Sequence, residues 1–259
     1  MQKIIERLNK FNYISILNEK IKKLSYNVIY KDIGLKDYKE TWDFQTEIFS
    51  TLVDSKKTGT KVLNSAVETL PGTLIFVEHP HVYTLGKSGS ENNLLIDLIQ
   101  LKARDASFYK IDRGGDVTYH GPGQIVGYPI FDLEEIKIGL KEYIYRIEEA
   151  IIKTVGEFGV SSSRLEGGTG VWLDPEIPGR ARKICAIGVK ASKYVTMHGF
   201  AFNVNTNLSY FNNINPCGFT DKGVTSLEKE LGKKQDFEDV KARVKKNMQL
   251  VFDLKWIKE

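Results

Sequence analysis

Apolar residues recur at steps of three and four through residues 3–24, at Ile4, Leu8, Phe11, Ile14, Leu17, Ile21 and Leu24, the period of one helix face. This predicts a helical N-terminal extension with a break near Asn12. The pattern then turns to alternation over Asn27 to Ile33 and stops at Gly34, as a strand does. A second helical stripe follows at Tyr38, Trp42, Gln45, Phe49 and Leu52. Residues 54–72 are polar and only loosely periodic, and read as a connection. Short β-branched or aromatic runs between Gly or Pro come next: Leu74 to Val77, His81 to Thr84, Phe108 to Ile111, Gln124 to Ile130, Val171 to Leu173, Ile184 to Val189 and Thr196 to Val204. Helical stripes return at Ile96 to Leu101, at Leu140, Tyr143, Ile147, Ile151 and Val155, and at Phe237, Val240, Val244, Met248 and Val251 behind the cap-like Asp236. Strands outnumber helices and come in runs, which predicts an α+β protein with a mixed sheet rather than a regular doubly wound one.

Composition narrows the class without choosing a function. In 259 residues the apolar share is 41% and the charged share 27%, ordinary for a globular chain, so collagenous and disordered classes are excluded. Uninterrupted apolar runs reach at most five residues, against the roughly 20 that span a bilayer. Two cysteines make no disulfide framework, and the opening MQKIIERLNK has no apolar leader core, so a reducing, cytoplasmic setting is expected. The net charge of +4 favours an acidic partner without marking nucleic-acid binding.

The densest chemical signal is RGGDVTYHGPGQIVGY at 113–128, with five glycines around Arg113, His120 and Gln124. Such a loop brings backbone N–H groups close to a ligand, or it is simply a tight turn; the residues alone leave both open. The spacing fits neither G-x-G-x-x-G nor a P-loop at Gly86-Lys87-Ser88. His79 and His81 would share one face of a strand, but a third ligand at metal-site spacing is missing, which favours a structural or substrate-lining role. Cys185 lies in the strand-like KICAIGV and reads as a small buried hydrophobe. Cys217 lies in the turn-forming NPCG, where a nearby cation would make it a thiolate nucleophile; Lys183, Lys190, His120 and His198 are the candidate activators.

Taken together, EHPHVYTLG at 78–86, RGGDVTYHGPGQ at 113–124, KICAIGVK at 183–190, HGFAFNVNTNL at 198–208 and NPCG at 215–218 resemble, in that order, the lipoyl(octanoyl) transferase family of lipoate biosynthesis. The resemblance covers residues 40–230. It implies one α/β catalytic domain over 26–259, similar to lipoate and biotin protein ligases, behind the helical extension of residues 1–25. It implies Cys217 as the acyl-thioester nucleophile and Lys183 as the lysine that lowers its pKa and moves protons. Arg113, Gly114, Gly115, Asp116, Val117, Thr118, Tyr119 and His120, with Ala186, Ile187 and Gly188 and with Gly199, Phe200 and Ala201, match the segments that line the acyl pocket. The implied donor is octanoyl-acyl carrier protein. The implied acceptors are lipoyl domains of 2-oxoacid dehydrogenase E2 subunits and the glycine cleavage H protein. Neither ATP nor metal, nucleic acid nor membrane enters the implied reaction.

Two segments exceed the family's minimal pattern: the N-terminal 25 residues and Asp174 to Arg182, a surface insertion or flap. The basic residues Lys241, Arg243, Lys245 and Lys246 read as a solvated helix face. Three other functions compete with the transferase. An ATP-dependent ligase shares the arginine, glycines and lysine but needs no cysteine. A silent carrier-binding protein would have lost Cys217 or Lys183. A cysteine hydrolase would use His120 or His198 as its base.

Overall fold

The computed structural model describes residues 25–58, 70–215 and 222–258. The expected helix over 3–24, most of the 54–72 connection and Cys217 lie outside the described residues. The chain enters as β1 (Tyr26–Leu35), turns at Gly34, whose φ of +64° suits glycine, and forms α1 (Tyr38–Thr58). There follow β2 (Gly72–Glu78), β3 (Val82–Leu85), the short α2 (Leu98–Ala103), β4 (Ser107–Lys110), β5 (Val117–His120), β6 (Gln124–Ile130) and α3 (Leu140–Gly156). The second half runs β7 (Ser163–Leu165), β8 (Gly168–Leu173), β9 (Arg182–Ser192), β10 (Val195–Asn203), β11 (Gly223–Val224), α4 (Leu227–Leu231), α5 (Phe237–Phe252) and β12 (Leu254–Ile257).

Among the described residues these strands make two sheets. The larger has the order β12-β1-β2-β6-β10-β9-β8-β7, with β11 added beside β9; the smaller is β4-β3-β5. β12, β1 and β2 run parallel, while β2, β6, β10, β9, β8 and β7 pair antiparallel, so the sheet is mixed as the strand runs predict. Period-two alternation divides β2 between two cores. Leu74 and Phe76 join the core under α3 and α5, whereas Ile75 and Val77 join the one under α1. Helices on both faces explain why six of the seven β2 residues are buried and why the strand reads as a continuous apolar run.

Several short elements carry no adequate signal. β12 is four residues beyond a helix stripe, reached through Asp253 in the left-handed region at φ +55°, and only its pairing with β1 makes it a strand. β7, β11 and α4 are equally short. The expected cap Asp236 is in place, its carboxylate accepting from the backbone N–H groups of Glu238 and Asp239. On the last helix Arg243 pairs with Asp239 and Glu157 and Lys246 with Glu157 on the solvated face, but Lys241, its side chain 12% exposed, is held by Asp32 and Glu238, and Lys245 lies over the Tyr30 and Trp256 rings, which corrects the reading for these two. The 174–182 segment turns through Ile177 N–H to Asp174 C=O and Arg180 N–H to Ile177 C=O, and Arg182 ties it down on Asp174 and Glu230.

Candidate active site

The glycine-rich motif divides into two devices. Gly121 and Gly123 form the turn that carries the chain from β5 in the small sheet to β6 in the large one, with Gln124 N–H donating to Gly121 C=O and Gly123 at φ +78°. Arg113 to Asp116 instead crosses β9: Gly114 N–H donates to Val189 C=O at 2.9 Å. A Cβ on Gly188 would stand 2.9 Å from Gly114 O, so the crossing requires glycine there. The tight-turn reading is realised at Gly121 to Gly123, whereas the Gly114 N–H is taken by the β9 backbone.

This crossing helps close a narrow cavity of about 50 Å³ between the sheets. Of the fourteen pocket-lining candidates, nine line it: Arg113, Thr118, His120, Ala186, Ile187, Gly188, Gly199, Phe200 and Ala201. The other five lie behind this wall. Gly114 and Gly115 belong to the crossing; Asp116 accepts from Val117 N–H and Asn93 Nδ2; Val117 and Tyr119 pack in the core of the small sheet. The remaining wall comes from Tyr38, Val126 and Tyr128, which the pattern of the chain assigns only to core or strand, and from His198, until here only a candidate activator or base. Tyr38 lies parallel to the His120 ring, with centroids 5.9 Å apart, and its helix stripe gives no hint of this.

Two imidazoles, His120 and His198, line the cavity and a third, His79, meets the His120 ring edge-on; hydrogen bonds set their protons. His79 donates from Nδ1 to Lys36 C=O at 2.8 Å and accepts from the Tyr128 hydroxyl at Nε2 at 2.8 Å. Burial pushes its pKa down to about 4. His120 donates from Nδ1 to Gln124 Oε1 at 2.9 Å, and burial, then the neighbouring His79, push its pKa down to about 3. His198 is also lowered, by burial above all, although Asp112 opposes the shift. Its Nε2 donates to Asp112 Oδ1 at 2.9 Å, and Lys190 Nζ contacts the other carboxylate oxygen at 2.5 Å. These partners hold Asp112 well below the usual carboxylate range. The imidazoles are thus neutral near pH 7, which suits an apolar ligand.

His79 and His81 do not act together. They sit in the turn between β2 and β3, and His81 stacks outside the cavity on Tyr210, centroids 4.0 Å apart, with its Nδ1 hydrogen-bonded to the Tyr119 hydroxyl. No group of three metal-ligand side chains occurs among the described residues. Cys185 is fully buried in the core, and burial raises its thiol pKa far above the ordinary value, the small hydrophobe expected.

Lys183 lies on β9 three residues before Ala186, with its ammonium 4.5 Å from the Trp172 ring centroid. Gly170 on the neighbouring β8 sits at φ +122°, where a Cβ would stand 2.5 Å from Cys185 C=O and in ordinary contact with the lysine stem at 3.5 Å. The chain around the undescribed 216–221 segment is anchored on both sides. Asn215 N–H donates to Asn93 C=O at 2.8 Å, and Gly223 and Val224 pair with Arg182 and Lys183.

The layered architecture is the fold of lipoate protein ligase catalytic domains. Solved structures agree: a bipartite lipoate protein ligase from Thermoplasma acidophilum superposes with a TM-score of 0.61 at 11% identity, covering 91% of this chain and 86% of that one. A lipoate-protein ligase A bound with ATP superposes equally, at 0.61 and 11% identity over 91% and 88%. The chain belongs to the lipoyl protein ligase A/B catalytic domain family, whose profile matches residues 37–249. Within it, an octanoyltransferase of Parabacteroides distasonis is 56% identical over 86% of this chain and 97% of its own length. An octanoyltransferase of Cytophaga hutchinsonii is 50% identical over 90% and 96%. No helix among the described residues is long and apolar enough to cross a membrane.

Proposed function

We propose that this protein is an acyltransferase that moves an octanoyl group from octanoyl-acyl carrier protein to a lysine of a lipoyl domain, through a thioester on Cys217. The observation that carries the reading is the convergence of nine expected residues on one narrow slot, its walls neutral apart from Arg113, whose β9 side leads toward Lys183. The return of the chain from Cys217 onto Arg182 and Lys183 within seven residues supports the pairing of cysteine and lysine. Relatives named octanoyltransferase support the acyl group.

In the first step Lys183 takes the Cys217 proton, and the thiolate attacks the donor's thioester carbonyl. The carrier's thiolate leaves and recovers that proton from Lys183. One thioester replaces another, so the step is nearly isoenergetic and needs neither ATP nor metal. In the second step the acceptor amine attacks the acyl-enzyme, its proton passes through Lys183 to the departing Cys217 sulfur, and an amide forms. An amide is more stable than a thioester, which draws the sequence forward.

The acceptors on this reading are lipoyl domains of 2-oxoacid dehydrogenase E2 subunits and the glycine cleavage H protein, and the setting is cytoplasmic. On this reading the transferase domain spans 26–259. Intact mass spectrometry with octanoyl-acyl carrier protein and no ATP tests the reading. One octanoyl mass added to the wild type, absent from Cys217→Ala and removed by a lipoyl domain, is the expected result. Acceptor modification that requires free acid and ATP, with no acyl-enzyme, would make the protein a ligase.

A further inference from the structure

His198 lines the slot without belonging to any of the segments expected to do so. Register places it at one end. On β10, Ala201 pairs with Ala186 of β9 and His198 pairs with Val189, so these two levels lie three residues apart, roughly 10 Å along the strands. Lys183 is three residues beyond the Ala186 level, on the side away from His198. A chain of eight carbons has seven bonds, the length of a little over two extended residues, roughly 8 Å. A chain of that length that enters from the Lys183 side and passes the alanine pair runs toward His198 along this interval.

The imidazole is fixed where it stands. Its Nε2 donates to Asp112, and Asp112 is held in turn by Lys190, whose ammonium lies 4.8 Å from the Phe49 ring centroid. Its backbone N–H donates to Gln45 Oε1 at 3.2 Å. The residue is 2% exposed and sits at φ +61°, the left-handed region that favours glycine, so a bulky side chain is kept there against backbone preference. With the proton on Nε2, Nδ1 carries a lone pair, and that atom is buried with no hydrogen-bond partner.

We propose that His198 is the length stop of the acyl slot, a specificity-determining residue that ends the available space at about eight carbons; this rests on the acyltransferase reading above. A chain of eight carbons ends against the ring. A longer chain must press further methylenes onto a ring that its partners hold in place and onto an acceptor that methylene cannot satisfy. Asp112 and Lys190 are positioning residues that hold the stop rigid.

The test loads the full-length enzyme from octanoyl-, decanoyl- and dodecanoyl-acyl carrier protein and reads acyl-enzyme formation rates by intact mass. His198→Gly removes the ring at a backbone conformation that glycine adopts readily, and Asp112→Asn releases it with little change in shape. The wild type is expected to load octanoyl at least about 10-fold faster than dodecanoyl, within the range that methylene-sized misfits produce. His198→Gly should reduce that ratio to about 3-fold or less while still loading octanoyl, and Asp112→Asn should move it in the same direction by less. A wild type that does not discriminate, or a His198→Gly enzyme that loads octanoyl with the wild-type ratio, overturns the proposal. If His198→Gly loads nothing, an unchanged ratio in Asp112→Asn overturns it instead. Failure of the wild type to load octanoyl at all is a failure of the acyltransferase reading, and is distinguished by that control.

Discussion

The large sheet is buried on both faces by helices, and its cores are mainly aliphatic and aromatic side chains without polar duties: Leu74, Phe76, Ile147, Ile151, Val240 and Val244 on one side, Ile75, Val77, Val126 and Ile130 on the other. The small sheet packs instead through rings that carry hydroxyls or nitrogens. Tyr83 donates to Tyr210 C=O and accepts from Asn213 Nδ2, the Tyr119 hydroxyl meets His81 Nδ1, and the His81, Tyr119 and Tyr210 rings stack. The difference follows from what each has to hold. Aliphatic interdigitation supplies stability through the area it buries, but no direction beyond shape. Hydrogen-bonded rings fix the path of a loop, here residues 208–215, which lead directly to NPCG and its Cys217.

The comparison is broken most strongly from the large-sheet side. Phe76 is fully buried and meets the Tyr30 and Phe200 rings edge-on. Phe76→Ala should cost about 3–5 kcal/mol of unfolding free energy, read by denaturant titration. A loss below about 1 kcal/mol would mean that the aliphatic core does not dominate stability.

The junction of the two sheets gives a pH dependence with a definite sign. His79 and His120 titrate at about 4 and about 3 in the folded protein, below the ordinary histidine value of about 6.5 in the unfolded chain. The unfolded state therefore binds more protons between those values, and stability is complete above about pH 6.5 and falls as pH drops toward 4. The loss should be on the order of 3 kcal/mol by pH 4 for each of these buried rings, and thermal unfolding between pH 7.5 and 4.5 checks it. A melting temperature that rises on acidification would contradict neutral, buried imidazoles.

The smallest effect sharpens the contrast. Tyr83→Phe keeps the ring but removes the hydroxyl shared with Asn213 and Tyr210, and should cost about 1–2 kcal/mol. Its signature is local: amide exchange at Ile214 and Asn215 should accelerate while Ile75 and Val126 stay protected. Equal acceleration in both regions would show that the ring network holds the whole fold and not the loop.

What was legible in the sequence is the part of the site written in contiguous segments. The blocks at 113–120, 186–188 and 199–201 identify nine residues of the slot, because β9 and β10 are neighbours in the sheet and their matched stretches lie side by side. Tyr38 and Tyr128 were hidden because a wall residue on a helix stripe or a buried strand has the same apolar spacing as a core residue. Asp112 stands next to Arg113 in the chain, yet only the fold brings it to His198 and Lys190, 86 and 78 residues away.

The sequence by itself determined, among the described residues, the secondary elements that are long and periodic, and with them the mixed-sheet class, the family and the candidate chemistry of Cys217 and Lys183. These rest on local spacing and on residue types that no distant contact alters. Tertiary structure decided the rest. It made β12 a strand by pairing it with β1, divided the glycine-rich motif into a turn and a crossing, and separated His79 from His81. It also set a neutral, fixed imidazole at the end of the slot. Pairing, burial and protonation are properties of neighbours in space, and the chain order does not list them.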